Sequence, residues 1–214
     1  MSRRQLETHL ALNLADRQLL QHPFYQRWQA GELSPGELAT YAEQYRHFET
    51  ALPEFLRRVI AKLGEGRAAD LMRGNLSDEE SSPKAHVELF EDFAVAAGAL
   101  SAMAATPATR QLLATYDALI AASPGEGLTA VVAYESQAPL IAASKARGLR
   151  ERYGFDDAGT QFWDVHGTMD TDHAAWSVEA LVTLDAPPEL VNASARRSLD
   201  AWWAFLDERE AARN

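Results

Sequence analysis

The sequence of 214 residues contains no cysteine. Disulfides, thiolate zinc sites, iron–sulfur clusters and a cysteine nucleophile are therefore excluded. Long apolar runs are also missing, and nothing approaches the roughly 18 consecutive apolar residues of a membrane-spanning helix. Met1-Ser2-Arg3-Arg4 opens on a polar amphipathic stretch instead of a continuous apolar segment, so no secretory signal is expected. Blocks of Lys and Arg are lacking as well, and the net charge is −11. That balance opposes nucleic acid held through its phosphates, and an anionic membrane surface for the same reason. The expectation is a cytoplasmic protein. It is 47% apolar, and its length suits one well-packed core, so residues 1–214 are read as one domain.

Runs of β-branched residues are rare, while Leu, Ala, Glu, Arg and Gln dominate, which predicts an all-α fold. A first helical stretch runs to about Leu20. A short helix carries His22-Pro23-Phe24-Tyr25-Gln26-Arg27-Trp28 and stops at Gly31. Ser34 caps a helix with Pro35 in its first position; it extends to about Leu63, with a kink expected at Pro53. Further helices are expected from Arg67 toward Glu80, from a Ser82-Pro83 cap to Gly98, and over Ala108–Ala122, Gly127–Tyr153 and Thr160–Leu184. A turn at Asp185-Ala186-Pro187-Pro188 precedes a last helix to about Arg209. The architecture is read as a bundle of seven or eight helices. In the last of them, Trp202-Trp203-Ala204-Phe205-Leu206 suits either core packing or a homodimer surface.

His166-Gly167-Thr168-Met169-Asp170-Thr171-Asp172-His173 carries the strongest chemical signal. On a helix turning about 100° per residue, His166, Asp170 and His173 fall near 0°, 40° and −20° and share one face. Imidazole with carboxylate suits iron, manganese or zinc. Asp172 lies off this face and reads as solvated. Glu79 and His86 are two turns apart and would align within about 20° on a continuous helix. Pro83 interrupts that stretch, so Glu79 instead reaches the site from the end of the preceding segment, or the pair is an acidic cap beside a packing histidine. Glu135 follows the apolar run Leu128–Tyr134 and needs a partner or a metal if buried. Glu49 is a further inward carboxylate or, with Arg46 nearby, a surface one. No histidine has Glu three positions before it, so the ferritin-type Glu-x-x-His pattern is absent.

Glu-x6-His, a later Glu, then His-x3-Asp-x2-His resembles the haem-oxygenase-like dimetal oxidases and oxygenases over most of the chain. Within that superfamily the sequence is most similar to the chlamydial protein associating with death domains and its para-aminobenzoate-making relatives. The resemblance implies a haem-oxygenase-like bundle of the thiaminase-II and pyrroloquinoline-quinone-synthase kind. It implies two metal ions, Fe/Fe or Fe/Mn, on Glu79, His86, Glu135, His166, Asp170 and His173, with O2 as co-substrate and an external reductant. It further implies that Tyr25 is a tyrosine cleaved to supply the aromatic ring, that Lys145 donates the amino nitrogen, and that Tyr41 and Tyr134 lie near the site. Tyr134 and Lys145 are eleven apart and would share a face of one helix. Other readings stay open: an oxidase turning over a free amino acid, amine or fatty acid, and a partner-binding helical protein. A thiaminase-like hydrolase would need the missing cysteine.

Overall fold

The computed structural model describes residues 2–81 and 84–213, with the side chains of residues 13, 14 and 169–171 outside the description. The Ser82-Pro83 cap and the Asp170 side chain thus lie outside the described residues. Among the described residues ten α-helices follow one another: α1 (Arg3–Leu14), α2 (Pro23–Ala30), α3 (Pro35–Leu63), α4 (Arg67–Ser81), α5 (His86–Ala96), α6 (Pro107–Ala122), α7 (Pro124–Glu135), α8 (Ala138–Tyr153), α9 (Asp157–Thr183) and α10 (Pro188–Ala211). No strand occurs among the described residues. The expected seven or eight becomes ten partly because the Gly127–Tyr153 stretch is two helices. Pro139 has no N–H for the Glu135 carbonyl, and α7 closes there through Gln137 N–H donating to the Tyr134 carbonyl. The first helix ends at Leu14, and a 3-10 turn, Leu19–Gln21, leads into α2.

Short α2 is fixed at both ends. His22 Nδ1 accepts the Phe24 N–H at 3.1 Å, so its Nε2–H donates to Asp207 on α10, 3.1 Å away. Gly31 ends the helix at φ 77°, a left-handed conformation that favours glycine. In between, Arg27 binds Glu37 at 2.6 Å and Glu210 at 3.0 Å, tying α2 to α3 and α10. The close approach of α8 depends on Gly148, where an added Cβ would sit 3.0 Å from the Trp28 ring.

Long α3 starts as read, with Ser34 accepting the Glu37 N–H and Glu37 reaching back to the Ser34 N–H. Pro53 lies inside it and leaves the Glu49 carbonyl without its helical donor. α3 packs on α4, α5 and α6; α9 packs on α4, α5, α7 and α8; α10 packs on α1, α6 and α7. One apolar cluster runs from Leu6 to Leu206. Trp202, Phe205 and Leu206 belong to it, so the C-terminal aromatic segment is core packing, with Trp203 partly buried against it. No described helix is long and apolar enough to cross a membrane.

Candidate metal centre

Glu79 ends up in the last turn of α4 and His86 at the first residue of α5. They therefore meet across a helix junction, not along one helix. His86 Nδ1–H donates to Glu79 Oε2 at 2.9 Å. This leaves the His86 Nε2 lone pair, which is buried and has no hydrogen-bond partner. His166 arrives from α9 with its ring 4.4 Å from that of His86. Its Nδ1–H donates to the Phe162 carbonyl at 2.8 Å, the helical i−4 carbonyl, which again frees Nε2. Ligand atoms of Glu79, His86 and His166 all lie within 4.8 Å of one another.

His173, two turns along α9, joins the same group. Its Nε2–H donates to Asp78 Oδ2 at 3.2 Å, and its Nδ1 lies 3.9 Å from Glu79 Oε1. Asp170 is helical on the intervening turn, with its side chain outside the description; Asp172 is exposed, as expected. Glu135, the last residue of α7, is held by Asn75 Nδ2–H at 2.7 Å and Ser177 Oγ–H at 2.6 Å. Glu79, Glu135 and His166 line a cavity of about 20 Å³ for a water-sized molecule, together with Tyr45, Tyr134 and Glu49. That is room for about one water or a diatomic gas.

Electrostatics sort these groups. Burial pushes Glu79 up, but the His86 hydrogen bond and the imidazoles of His86, His166 and His173 outweigh it, and its carboxyl sits below the usual range. Burial raises Glu135, with Ser177, Asn75 and His173 opposing. Burial and the neighbouring His86 lower His166 to about 4, so its imidazole is neutral near pH 7. A neutral imidazole and an ionised carboxylate are the forms that ligate a metal.

Beyond the cavity sits a phenol-rich cluster. Tyr25 and Tyr41 share a hydrogen bond of 2.9 Å. Lys145 Nζ donates to the Tyr41 hydroxyl. The same nitrogen lies 4.7 Å from the Tyr25 ring centre, 4.7 Å from Tyr41, 5.0 Å from Tyr45 and 3.9 Å from Trp163. Lys145 is 1% exposed, and burial holds its pKa well below the ordinary lysine value, opposed only by Glu49. Tyr134 is elsewhere: its hydroxyl pairs with Tyr45 at 2.7 Å, and its ring stacks on Trp202 at 4.3 Å. The expected shared helix face of Tyr134 and Lys145 does not exist, because Pro139 places them on α7 and α8.

Residues 39–205 match the iron-containing redox enzyme family. The chain belongs to that family. It is 37% identical to a 4-aminobenzoate synthase of Nitrosomonas europaea, covering 91% of this chain and 86% of the relative. It is 32% identical to a 4-aminobenzoate synthase of Chlamydia pneumoniae, covering 90% and 89%. Among solved structures, a CADD-like protein of unknown function from Nostoc punctiforme superposes with a TM-score of 0.80 at 20% identity, covering 99% of both chains. A domain with a haem-oxygenase-like fold from Shewanella denitrificans superposes with a TM-score of 0.81 at 17% identity, covering 99% of this chain and 93% of the other. The fold is haem-oxygenase-like.

The donor set fits the iron that the family name implies. His86 Nε2 and Glu49 Oε1 are buried without hydrogen-bond partners, an arrangement that is costly unless a ligand occupies it. Glu49 is thus a donor that sequence reasoning left open between an inward and a surface carboxylate. It is buried on α3 and lines the cavity. Burial and the nearby Glu79 push its carboxyl well above the usual range. Arg46, the reason for the surface reading, instead forks onto Glu91 at 2.6 and 3.1 Å and donates to the Leu100 carbonyl. A sequence signal existed. Glu49, Glu79 and Glu135 each stand four residues before a proline: Pro53, Pro83 and Pro139. Pro53 and Pro139 each withhold the N–H that would otherwise donate to the glutamate's own carbonyl; Pro83 lies outside the described residues.

Proposed function

We propose that this family member is a para-aminobenzoate synthase that consumes its own Tyr25. Support comes from the curated relatives of that name and from one juxtaposition: the Lys145 amine 4.7 Å from the Tyr25 ring centre. The product carries one carbon on its ring, so the bond to break is Cα–Cβ of Tyr25. The para oxygen is then exchanged for the Lys145 nitrogen: the ring C–O bond and the Lys145 Cε–Nζ bond both break, and the oxygen leaves as water. Burial favours the uncharged amine, whose lone pair is available for that attack.

In this reading Glu79, His86, Glu135, His166, Asp170 and His173 hold two metal ions, with Glu49 as a further oxygen donor. A bound iron pair, or iron with manganese, supplies O2 activation using electrons from an external reductant. The chain's own residues do the rest. Asn75 and Ser177 orient Glu135, and Asp78 fixes the tautomer of His173. The Tyr41 hydroxyl holds both the Tyr25 hydroxyl and the Lys145 amine, and the surrounding rings exclude water. The apolar cluster from Leu6 to Leu206 supports reading residues 1–214 as one domain. A homodimer is part of the proposal and is checked by sedimentation. Val95, Leu100 and Met103, exposed at and after the end of α5, are apolar side chains available to it.

The test loads purified protein with iron, or with iron plus manganese, then adds reductant and O2. Expected are free para-aminobenzoate and an intact mass lowered by one tyrosine side chain together with the amine lost from Lys145. Tyr25→Phe is expected to keep its metal and make no product. Product that accumulates over many turnovers while Tyr25 stays intact would support an oxidase of free substrates instead.

A further inference from the structure

Tyr25 and Lys145 are each 1% exposed, so an aromatic acid formed between them is enclosed and needs a way out. Between α8 and α9 the surface opens into a groove of about 420 Å³, a size that suits a small molecule. Ala143, Ala146 and Gly167 line it with little or no side chain, and Trp163, 2% exposed, closes it on the inside. Of the residues lining the groove, Trp163 is the one whose ring lies against the Lys145 amine, with Nζ 3.9 Å from its centre. One indole thus separates the groove from the amine that stands 4.7 Å from the Tyr25 ring centre. No hydrogen bond pins that indole. Its N–H is buried and without a partner among the described residues, at a cost of about 1–3 kcal/mol. Its neighbours inside are the rings of Tyr45, Phe93 and Phe162. A turn of the indole into the groove hydrates the N–H and uncovers the cluster.

The charged groups of the groove suit one kind of molecule. Arg150 is already occupied, forking onto both carboxylate oxygens of Asp164. The Arg147 guanidinium is exposed and makes no ion pair or hydrogen bond among the described residues. Glu151 lines the same groove one turn further along α8, about 6 Å away in rise. A free guanidinium and a carboxylate one turn apart, beside an indole, complement a ring with a carboxylate at one end and an amine at the other. Arg147 binds the carboxylate, Glu151 accepts an N–H of the aromatic amine, and the indole lies against the ring. The other route to the surface is poorer. It passes Phe24, which stacks on Tyr41, into a pocket of about 40 Å³ beside Arg209. That pocket is smaller, and the Arg209 guanidinium is already bound to Glu208.

We propose that the α8–α9 groove is the product site: para-aminobenzoate leaves the cluster past the Trp163 indole and is held by Arg147 and Glu151 before it enters solution. This rests on the synthase reading above. No covalent bond changes in this step. Trp163 acts as a shutter, and Arg147 and Glu151 bind product.

The experiment compares product made with product set free. Protein loaded with iron, or iron plus manganese, is reduced and mixed with O2; samples taken over time are split between an acid quench, which gives all para-aminobenzoate made, and rapid filtration, which gives the free fraction. Ala143→Phe, which fills the groove from an exposed position, is expected to slow release relative to formation by about tenfold or more. Gly36→Leu fills the other pocket, where an added Cβ meets nothing within 4 Å, and is expected to release like the parent. Parent-like release from Ala143→Phe, or slow release from Gly36→Leu alone, overturns the proposal. A second measurement is equilibrium dialysis of para-aminobenzoate against the iron-loaded protein without O2. Saturable binding is expected, weakened about tenfold or more in Arg147→Glu and for para-aminobenzamide, which lacks the carboxylate. Binding that ignores both changes, or no binding to the parent, overturns the proposal. Should Ala143→Phe not fold, Arg147→Glu decides, since its side chain is exposed and unpaired. Binding lost in Arg147→Glu from a protein that makes no para-aminobenzoate supports the groove as a site for aromatic amino acids of this shape and overturns the synthase reading. Product made and released alike by every variant leaves the synthase reading standing and overturns the groove.

Discussion

His166 is a buried imidazole with another imidazole against it, and its pKa of about 4 has a consequence for the metal-free protein. A histidine whose folded value lies below its unfolded value of 6.5 contributes stability that is complete above that value and lost as pH falls toward the folded one. The metal-free protein is therefore expected to lose stability between about pH 6.5 and 4. A His166→Gln variant should lose less across the same window, as read by denaturant unfolding at several pH values; an unchanged slope would contradict this. Asn75 and Ser177 make a second case. They hold both oxygens of Glu135, so Asn75→Ala and Ser177→Ala are each expected to weaken metal binding roughly 10- to 100-fold with the fold intact. Equilibrium metal titration checks it. At this scale His166 and His173 were legible because they lie inside one uninterrupted helix, where a constant turn per residue holds. Glu79 and His86 were not legible by that route, since their spacing crosses a junction. Glu49 was left open between an inward and a surface carboxylate, because nearness to Arg46 in sequence says nothing about which way each side chain turns. Arg46 found Glu91 instead.

Helices here stop or loosen where carboxylates are needed. The Glu49 and Glu135 carbonyls both lack their usual helical donor, through Pro53 inside α3 and Pro139 at the start of α8. Pro139→Ala would offer that donor and favour one continuous helix from α7 into α8. The expectation is unchanged or slightly raised thermal stability but metal affinity lowered about tenfold, because Glu135 turns with the backbone. Calorimetry and metal titration together test this, and unaltered affinity would refute it. The all-α class, the Ser34 cap and the α3 limits followed from propensity and capping. The break between α7 and α8 did not, because Pro139 in the first turn of a new helix reads the same as a proline inside an old one. Tyr134 and Lys145 were consequently assigned a common face they do not have.

Across the whole molecule the aromatic rings form one continuous body from α2 through α3 to α10. Its reach was implied by resemblance to a family; no local pattern reports that residues at 25, 41, 45, 134 and 145 converge. Tyr25, at 1% exposure, is part of the packing that keeps α2 in place. If its side chain leaves as product, a glycine remains in the middle of α2 beside an empty space walled by Phe24, Trp28 and Tyr41. Losing a buried aromatic costs about 3–5 kcal/mol, and glycine in a helix adds about 1 kcal/mol, out of a total near 5–15 kcal/mol. A Tyr25→Gly variant, which copies the spent chain at position 25, is expected to melt well below the parent and to be digested faster by protease; equal melting would contradict this. Making the product would then also shorten the life of the molecule that made it. A cell would obtain the compound in proportion to how much of this chain it synthesises, with used copies clearing themselves by coming apart.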